Sequence, residues 1–232
     1  MYTANRARLG WSLGWLLGLL GLPAAASAQE TRGIVWEVGA SLSAARTTTG
    51  GAAVEAGMND RVPSLALAAG VFARLELARW NGVGLGVQPE LVYAPRGTGI
   101  ARDGVHLGTL RYRYLELPML ARLESRPFGP AAFYAVVGPS LGFLLRAEAA
   151  TGPGWVSDEK EVTSDLDLGL AAGAGAVVAI TPRLAFSVEA RYTHGFFTLD
   201  NTGQYEVENR AMFATVGLAA RFGGGAPAAL IE

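Results

Sequence analysis

Between Arg111 and Leu123 the chain reads RYRYLELPMLARL, and every second residue shares a character. From Arg113 one row continues as Leu115, Leu117, Met119 and Ala121. The alternate row is Tyr112, Tyr114, Glu116, Pro118 and Leu120. A period of two is the signature of a strand whose faces meet different surroundings. The run is longer than a usual soluble strand of about 5–6 residues. Pro118 lacks a ladder donor, so a bulge or strained pairing is expected there.

The same alternation recurs and predicts eight strands, at about Ile34–Arg46, Ser64–Leu77, Gly82–Pro95, Thr109–Arg122, Ala131–Arg146, Asp165–Ile180, Leu184–Gly195 and Arg210–Phe222. In the first, Ile34, Trp36, Val38, Ala40 and Leu42 oppose Glu37, Gly39, Ser41 and Ser43. In the third, Val83, Leu85, Val87, Pro89, Leu91 and Tyr93 oppose Gly84, Gly86, Gln88 and Glu90. In the seventh, Leu184, Phe186, Val188, Ala190 and Tyr192 oppose Ser187, Glu189, Arg191 and Thr193. The last sets Met212, Ala214, Val216, Leu218, Ala220 and Phe222 against Phe213, Thr215, Gly217 and Arg221.

The connections alternate too. ARWNG, ESRPFGP and TPR are short; TTTGGAAVEAGMNDRVP, RGTGIARDGVHLG, AEAATGPGWVSDEKEVTS and FFTLDNTGQYEVEN are long and polar. Short turns at one end and long loops at the other, over an even strand count, describe a transmembrane barrel with periplasmic turns and extracellular loops. The polar rows hold Gly, Ala, Ser and charges of both signs, which suit a narrow lumen. The apolar rows then face lipid, where a closed barrel leaves no backbone group unpaired. A soluble carrier is the competing fold, with the apolar rows lining a ligand cavity. Trp36, Trp80, Tyr93, Phe128, Phe133, Tyr192 and Phe222 fall near strand ends, where aromatic girdles belong.

The N-terminus fixes the expected compartment. Arg6 and Arg8 precede the apolar run LGWSLGWLLGLLGLP, and ASA at 26–28 is a small-residue cleavage signature. Residues 1–28 are therefore read as a cleaved signal peptide, 29–222 as the barrel, and 223–232 as a flexible tail. Cysteine is absent, which removes disulfides and thiol chemistry. Of 19 basic residues only Lys160 is lysine, and the net charge of -1 gives no basic footprint for nucleic acid.

Two stretches carry a family resemblance. YLELPMLARL (114–123) is similar to the tyrosine–leucine–glutamate–hydrophobic–proline stretch of the PorT-like outer-membrane β-barrel family. GAGAVVAITPRLAFSVEARYTHGF (173–196) resembles that family's Gly-rich strand, tight turn, and strand ending in Arg191, Tyr192 and Gly195. The resemblance implies an eight-stranded antiparallel up-and-down outer-membrane barrel. Some members are linked to secretion or surface assembly, and no residue here carries that role over. TVGLAARF (215–222) fits a barrel-assembly signal ending in Phe222, so the assembly machinery is an expected partner. GGGAPAALIE then departs from barrels that stop at the aromatic.

Candidate chemistry is sparse. Glu37, Arg74, Gln88, Glu90, Tyr114, Glu116, Glu189 and Arg191 are expected to point into the lumen. An eight-stranded interior is just wide enough for side chains to fill, so a salt-bridged plug is expected rather than a pore. His194 in RYTHGFF resembles the base of outer-membrane lipid A deacylases, but those carry a serine two places on. Here that place is Phe196, so the nucleophile is missing. His106 near Asp103 is a weaker catalytic candidate in a loop. The acidic stretch Asp158, Glu159, Glu161, Asp165, Asp167 gathers oxygen ligands of the kind a divalent cation takes, but its spacing matches no calcium loop. Arg96, Arg102, Arg111 and Arg113 are expected near the outer rim, where arginine pairs well with lipopolysaccharide phosphates. The resulting expectation is a non-enzymatic outer-membrane barrel with no cofactor, metal or catalytic residue. Its expected partners are outer-membrane lipid, lipopolysaccharide and a protein met at the outer loops. The alternatives are a narrow pore and a lipid-modifying enzyme.

Overall fold

The computed structural model describes residues 35–50, 60–151, 155–196 and 208–222. The signal peptide expected at 1–28, the tail at 223–232, and most of the first and seventh long connections lie outside them. The strands are β1 (Trp36–Gly50), β2 (Asp60–Trp80), β3 (Val83–Arg102), β4 (Val105–Glu124), β5 (Ala131–Thr151), β6 (Trp155–Asp158), β7 (Leu166–Thr181), β8 (Leu184–Gly195) and β9 (Glu208–Phe222). All neighbours pair antiparallel. Eight strands run β1-β2-β3-β4-β5-β7-β8-β9, and β9 pairs back onto β1, so the ring has no free edge. The short β6 continues beside the end of β5, beyond the reach of β7.

One end of the ring carries the β2–β3, β4–β5 and β7–β8 connections and the two terminal residues Trp36 and Phe222, whose rings stack at 4.5 Å. We call it the turn rim and the opposite end the loop rim. Asn81 and Gly82 close β2 to β3 with φ of 48° and 81°. Positive φ at both central positions matches the right-handed twist of the flanking strands.

The alternation divides the two faces as the sequence predicts. The outward row includes Trp36, Val38, Leu42, Leu67, Val71, Leu117, Met119, Val137, Val188 and Val216, all exposed. The inward row is buried and mixed. Glycine is essential where a ring folds over the neighbouring strand: Gly175 on β7 lies directly opposite Tyr134 on β5, and a Cβ there would sit 2.6 Å from the Tyr134 hydroxyl. Small apolar groups fill the remaining interior, with Ala45, Ala68, Ala94 and Ala211 around Phe213, and Ala132, Val136 and Ala171 around Tyr134 and Leu120.

The third connection is not a long loop. β3 runs on to Arg102, β4 begins at Val105, and Asp103-Gly104 turns between them with φ of 50° and 77°. Strands β2 to β5 are each 20 or 21 residues long, about twice the 9–11 needed to cross a bilayer. Nor does Pro118 carry a bulge. Pro89 faces Met119, and pairing resumes at Val92–Glu116 with register kept. The shift between β4 and β5 falls instead at Arg113/Tyr114.

Candidate functional site: the charged lumen and the arginine rim

Inside the ring, alternation brings ionisable residues from separate strands to one axis. Glu90 on β3 and Arg191 on β8 lie four strands apart in a ring of eight. They meet in a two-pronged pair, Arg191 Nη1 donating to Oε2 at 2.7 Å and Nη2 to Oε1 at 2.8 Å. Arg191 Nε also donates to Glu189 at 2.6 Å. Gln88 Nε2 donates to Glu90 at 2.6 Å, while its Oε1 accepts from Arg74 at 3.1 Å and Arg122 at 3.0 Å. Arg74 reaches Glu37 at 3.1 Å and Ser187 at 3.1 Å, and Arg221 reaches the other oxygen of Glu37 at 2.7 Å. Arg122 lies 3.4 Å over the Tyr134 ring, a cation–π contact.

A second cluster lies nearer the loop rim. Arg96 pairs with Glu116 at 2.6 Å and lies 3.8 Å from Asp167, which accepts from Asn209 at 2.8 Å. Tyr114 is fully buried beside them. The carboxylates of Glu37, Glu90, Glu116, Asp167 and Glu189 thus each face a guanidinium of Arg74, Arg96, Arg191 or Arg221. Paired and hydrogen-bonded charges are the form in which burial is tolerated. The space left among them is small. One cavity of about 30 Å³ lies beside Arg74, Glu90 and Arg191, and another of about 10 Å³ beside Arg96 and Asp167. A single water needs about 10–15 Å³.

All eight residues expected in the lumen are placed on the inward face. Arg122, Asp167, Ser187 and Arg221 join them, and so does Arg96. Arg96 was expected at the outer rim; its side chain is 3% exposed and ion-paired inside. The third strand does not end at Pro95 but runs on to Arg102. Carrying the row Gly84, Gly86, Gln88, Glu90 onward places Arg96 inward. Arg122 was readable the same way, on the row of Tyr112, Tyr114 and Glu116.

On the outer face the loop rim carries Arg111 and Arg113, with Arg102 exposed beside the hairpin tip. His194 stands on the outward row between Tyr192 and Phe196, 3.6 Å from Glu208. His106 is exposed on β4 and contacts Thr109 at 3.2 Å. The acidic stretch is split: Asp167 is buried in the lumen, whereas Asp158 accepts from the Lys160 backbone N–H.

A closed ring with an apolar outer face and a charged inner one defines a transmembrane β-barrel of the outer-membrane type. The chain belongs to the outer membrane protein beta-barrel domain family, whose model matches residues 26–201. It is an outer-membrane protein, and its apolar belt faces the bilayer core. No curated protein matches the chain. Among solved structures it is similar to the outer membrane protein OprG from Pseudomonas aeruginosa, with TM-score 0.50 and 11% identity over 83% of this chain and 97% of that one. Neisserial surface protein A gives TM-score 0.49 and 16% identity over 81% and 97%. Ail of Yersinia pestis, solved in complex with the heparin analogue sucrose octasulfate, gives 0.43 and 16% over 81% and 99%.

Proposed function

We propose that this barrel is a non-conducting, non-enzymatic component of the outer membrane that works through its outer surface. The observation that carries the reading is the Glu90–Arg191 pair, which ties opposite walls together at the axis. Side chains from seven of the eight ring strands line the cavity beside it, which has room for a few waters only. A solute path would require breaking a buried two-pronged ion pair. His194 has Phe196 where a deacylase would have its hydroxyl, and its charged neighbour is Glu208. That supports a surface role over lipid chemistry.

On this reading, residues 1–28 direct export and are removed, and the strand ending at Phe222 is recognised by the assembly machinery. Arg102, Arg111 and Arg113 meet lipopolysaccharide, and the loop rim meets a protein partner. Within the family, Tyr114-Leu115-Glu116-Leu117-Pro118 supports the PorT-like branch. Planar-bilayer recording on the purified barrel tests the central statement. We expect no discrete conductance steps from the native protein and their appearance in Glu90→Ala/Arg191→Ala. Reproducible steps from the native protein would make it a pore.

A further inference from the structure

The register shift between β4 and β5 creates an unusual outward surface. Arg113 faces Arg146, but Tyr114 faces Leu144, so Leu145 is the extra residue. Such a bulge re-aims side chains. Here Leu144 and Ala147 stay buried while Leu145 and Arg146 both turn outward. Without the shift, Arg146 would occupy the inward row. With it, Arg146 lies directly across from Arg113, and Arg111 stands two residues further along the same outward row.

Like charges directly opposite in a sheet repel. Glu148, the partner of Arg111 across the ladder, pairs with Arg146 at 2.6 Å and Arg113 at 3.7 Å. Asp158 faces Glu148 from the far side, on β6. Glu148 therefore sits inside the patch, one carboxylate among three guanidiniums, and Asp158 lies beyond it on one side. On the other, β3 offers Pro95 opposite Arg113 and Gly97 opposite Arg111, which add no charge and little bulk. Arg146 and Arg113 remain 58% and 44% exposed despite Glu148.

Position identifies what meets this surface. Immediately towards the turn rim the outward row becomes Leu115, Leu117, Met119, Ala121 and Leu123 on β4. On β5 it becomes Leu145, Phe143 and Leu141. The β4 run from Leu115 to Leu123 matches the about 9–11 residues of a bilayer-crossing strand. The guanidiniums thus sit one step above the hydrocarbon edge, at headgroup height on the loop side.

We propose that Arg111, Arg113 and Arg146 form a binding site for a phosphate of an outer-leaflet glycolipid, lipid A, with its acyl chains laid against Leu115, Phe143 and Leu145. Guanidiniums bind phosphate oxygens in paired, charge-assisted hydrogen bonds. The phosphate relieves the Arg113–Arg146 repulsion that Glu148 only partly offsets. This site deepens the lipopolysaccharide contact above and replaces Arg96, which is inside, with Arg146. It does not depend on whether the lumen conducts, so a conductance step would overturn the plug and leave this site standing.

The test is native mass spectrometry of the detergent-purified barrel. It is titrated with bisphosphorylated lipid A, with dephosphorylated lipid A, and with inorganic phosphate as competitor. Arg113→Gln/Arg146→Gln is compared with Arg183→Gln at the turn rim, and heat-modifiability confirms that each variant is closed. We expect the double variant to bind bisphosphorylated lipid A about tenfold more weakly, the loss of charge-assisted bonds, and Arg183→Gln to bind as the native protein does. Dephosphorylated lipid A should not distinguish the variants. Native affinity in the closed double variant would overturn the site. So would displacement of lipid A by inorganic phosphate at equal concentration, since the site would then read the free ion. Should the double variant fail to close, Arg146→Lys, which keeps the charge but loses the planar fork, supplies the comparison; an unchanged affinity there overturns the two-pronged contact.

Discussion

Arg191 on β8 and Glu90 on β3 share two hydrogen bonds, 2.7 and 2.8 Å, across the full width of an eight-stranded ring. The two residues are 101 positions apart in sequence, so the pair forms only when the barrel has closed. Removing one partner leaves the other buried without its counter-charge, which costs about 3–5 kcal/mol. Arg191→Met should therefore lower the urea midpoint of the heat-modifiable form sharply. Replacing both with Met should recover most of that loss, because apolar side chains of similar volume often substitute for a buried pair at little cost. A double variant as weak as the single one would show that the pair is not the unit that matters.

Close approach sets a second expectation. Gly175 on β7 faces the Tyr134 ring, and its backbone neighbour is the Val188 carbonyl. Gly175→Val places branched bulk between the two flanking strands, β5 and β8, where neither can retreat far, and overpacking of this kind costs about 1–3 kcal/mol. Folding into detergent micelles, followed by the mobility shift on boiling, should show a reduced folded fraction. Gly104→Ala is a useful contrast, since an added Cβ there meets nothing and only the φ of 77° opposes it. Its cost should be about 1–2 kcal/mol and confined to faster amide exchange at the β3–β4 tip.

Much of this architecture was legible because the strand period is two and the two faces differ chemically. Leu184–Gly195 is predicted and observed with the same bounds, because apolar and polar residues alternate there without interruption between Arg183 and Phe196. The misplaced boundaries share a cause. Pro95, Arg96 and Gly97 look like a loop, yet an antiparallel strand that passes beyond the bilayer no longer needs an apolar outer row. β3 continues to Arg102 with Gly97 and Gly99 in it. The signal that was available is Asp103-Gly104, whose chemistry favours a two-residue hairpin turn. The bulge at Leu145 left no such trace. Nothing local in LLRAE marks an extra residue; only pairing with β4 reveals that Arg146 turns outward beside Arg113.

The histidine yields an activity test. His194 is held between Tyr192 and Phe196 on the outward row, and Glu208 is 3.6 Å away. Deacylation needs a hydroxyl nucleophile within about 2.6–3.2 Å of its base. Incubation of the folded barrel with lipopolysaccharide should release no fatty acid, and His194→Ala should behave identically. Fatty acid released by the native protein and lost in His194→Ala would make the barrel an enzyme.

The outer face gives the final prediction. Leu42 lies on the outward row of β1, facing Ala69 on β2 and Val216 on β9, and it is 65% exposed. It stands between Trp36 at the turn rim and Arg46 towards the loop rim, so it falls near the middle of the belt. Arginine on the lipid face costs about 2–4 kcal/mol at the bilayer midplane and falls to about 0–1 near the interfaces. Leu42→Arg should therefore weaken folding into phospholipid vesicles by the larger amount. Val62→Arg, outward on the part of β2 near the loop rim, should weaken it by the smaller. The order matters more than either value, because depth alone separates the two sites. Equal costs at both would mean that the apolar row does not lie in a bilayer of this orientation. A loss at Val62 greater than at Leu42 would move the hydrocarbon belt towards the loop rim, and with it the headgroup height at which Arg113 and Arg146 stand.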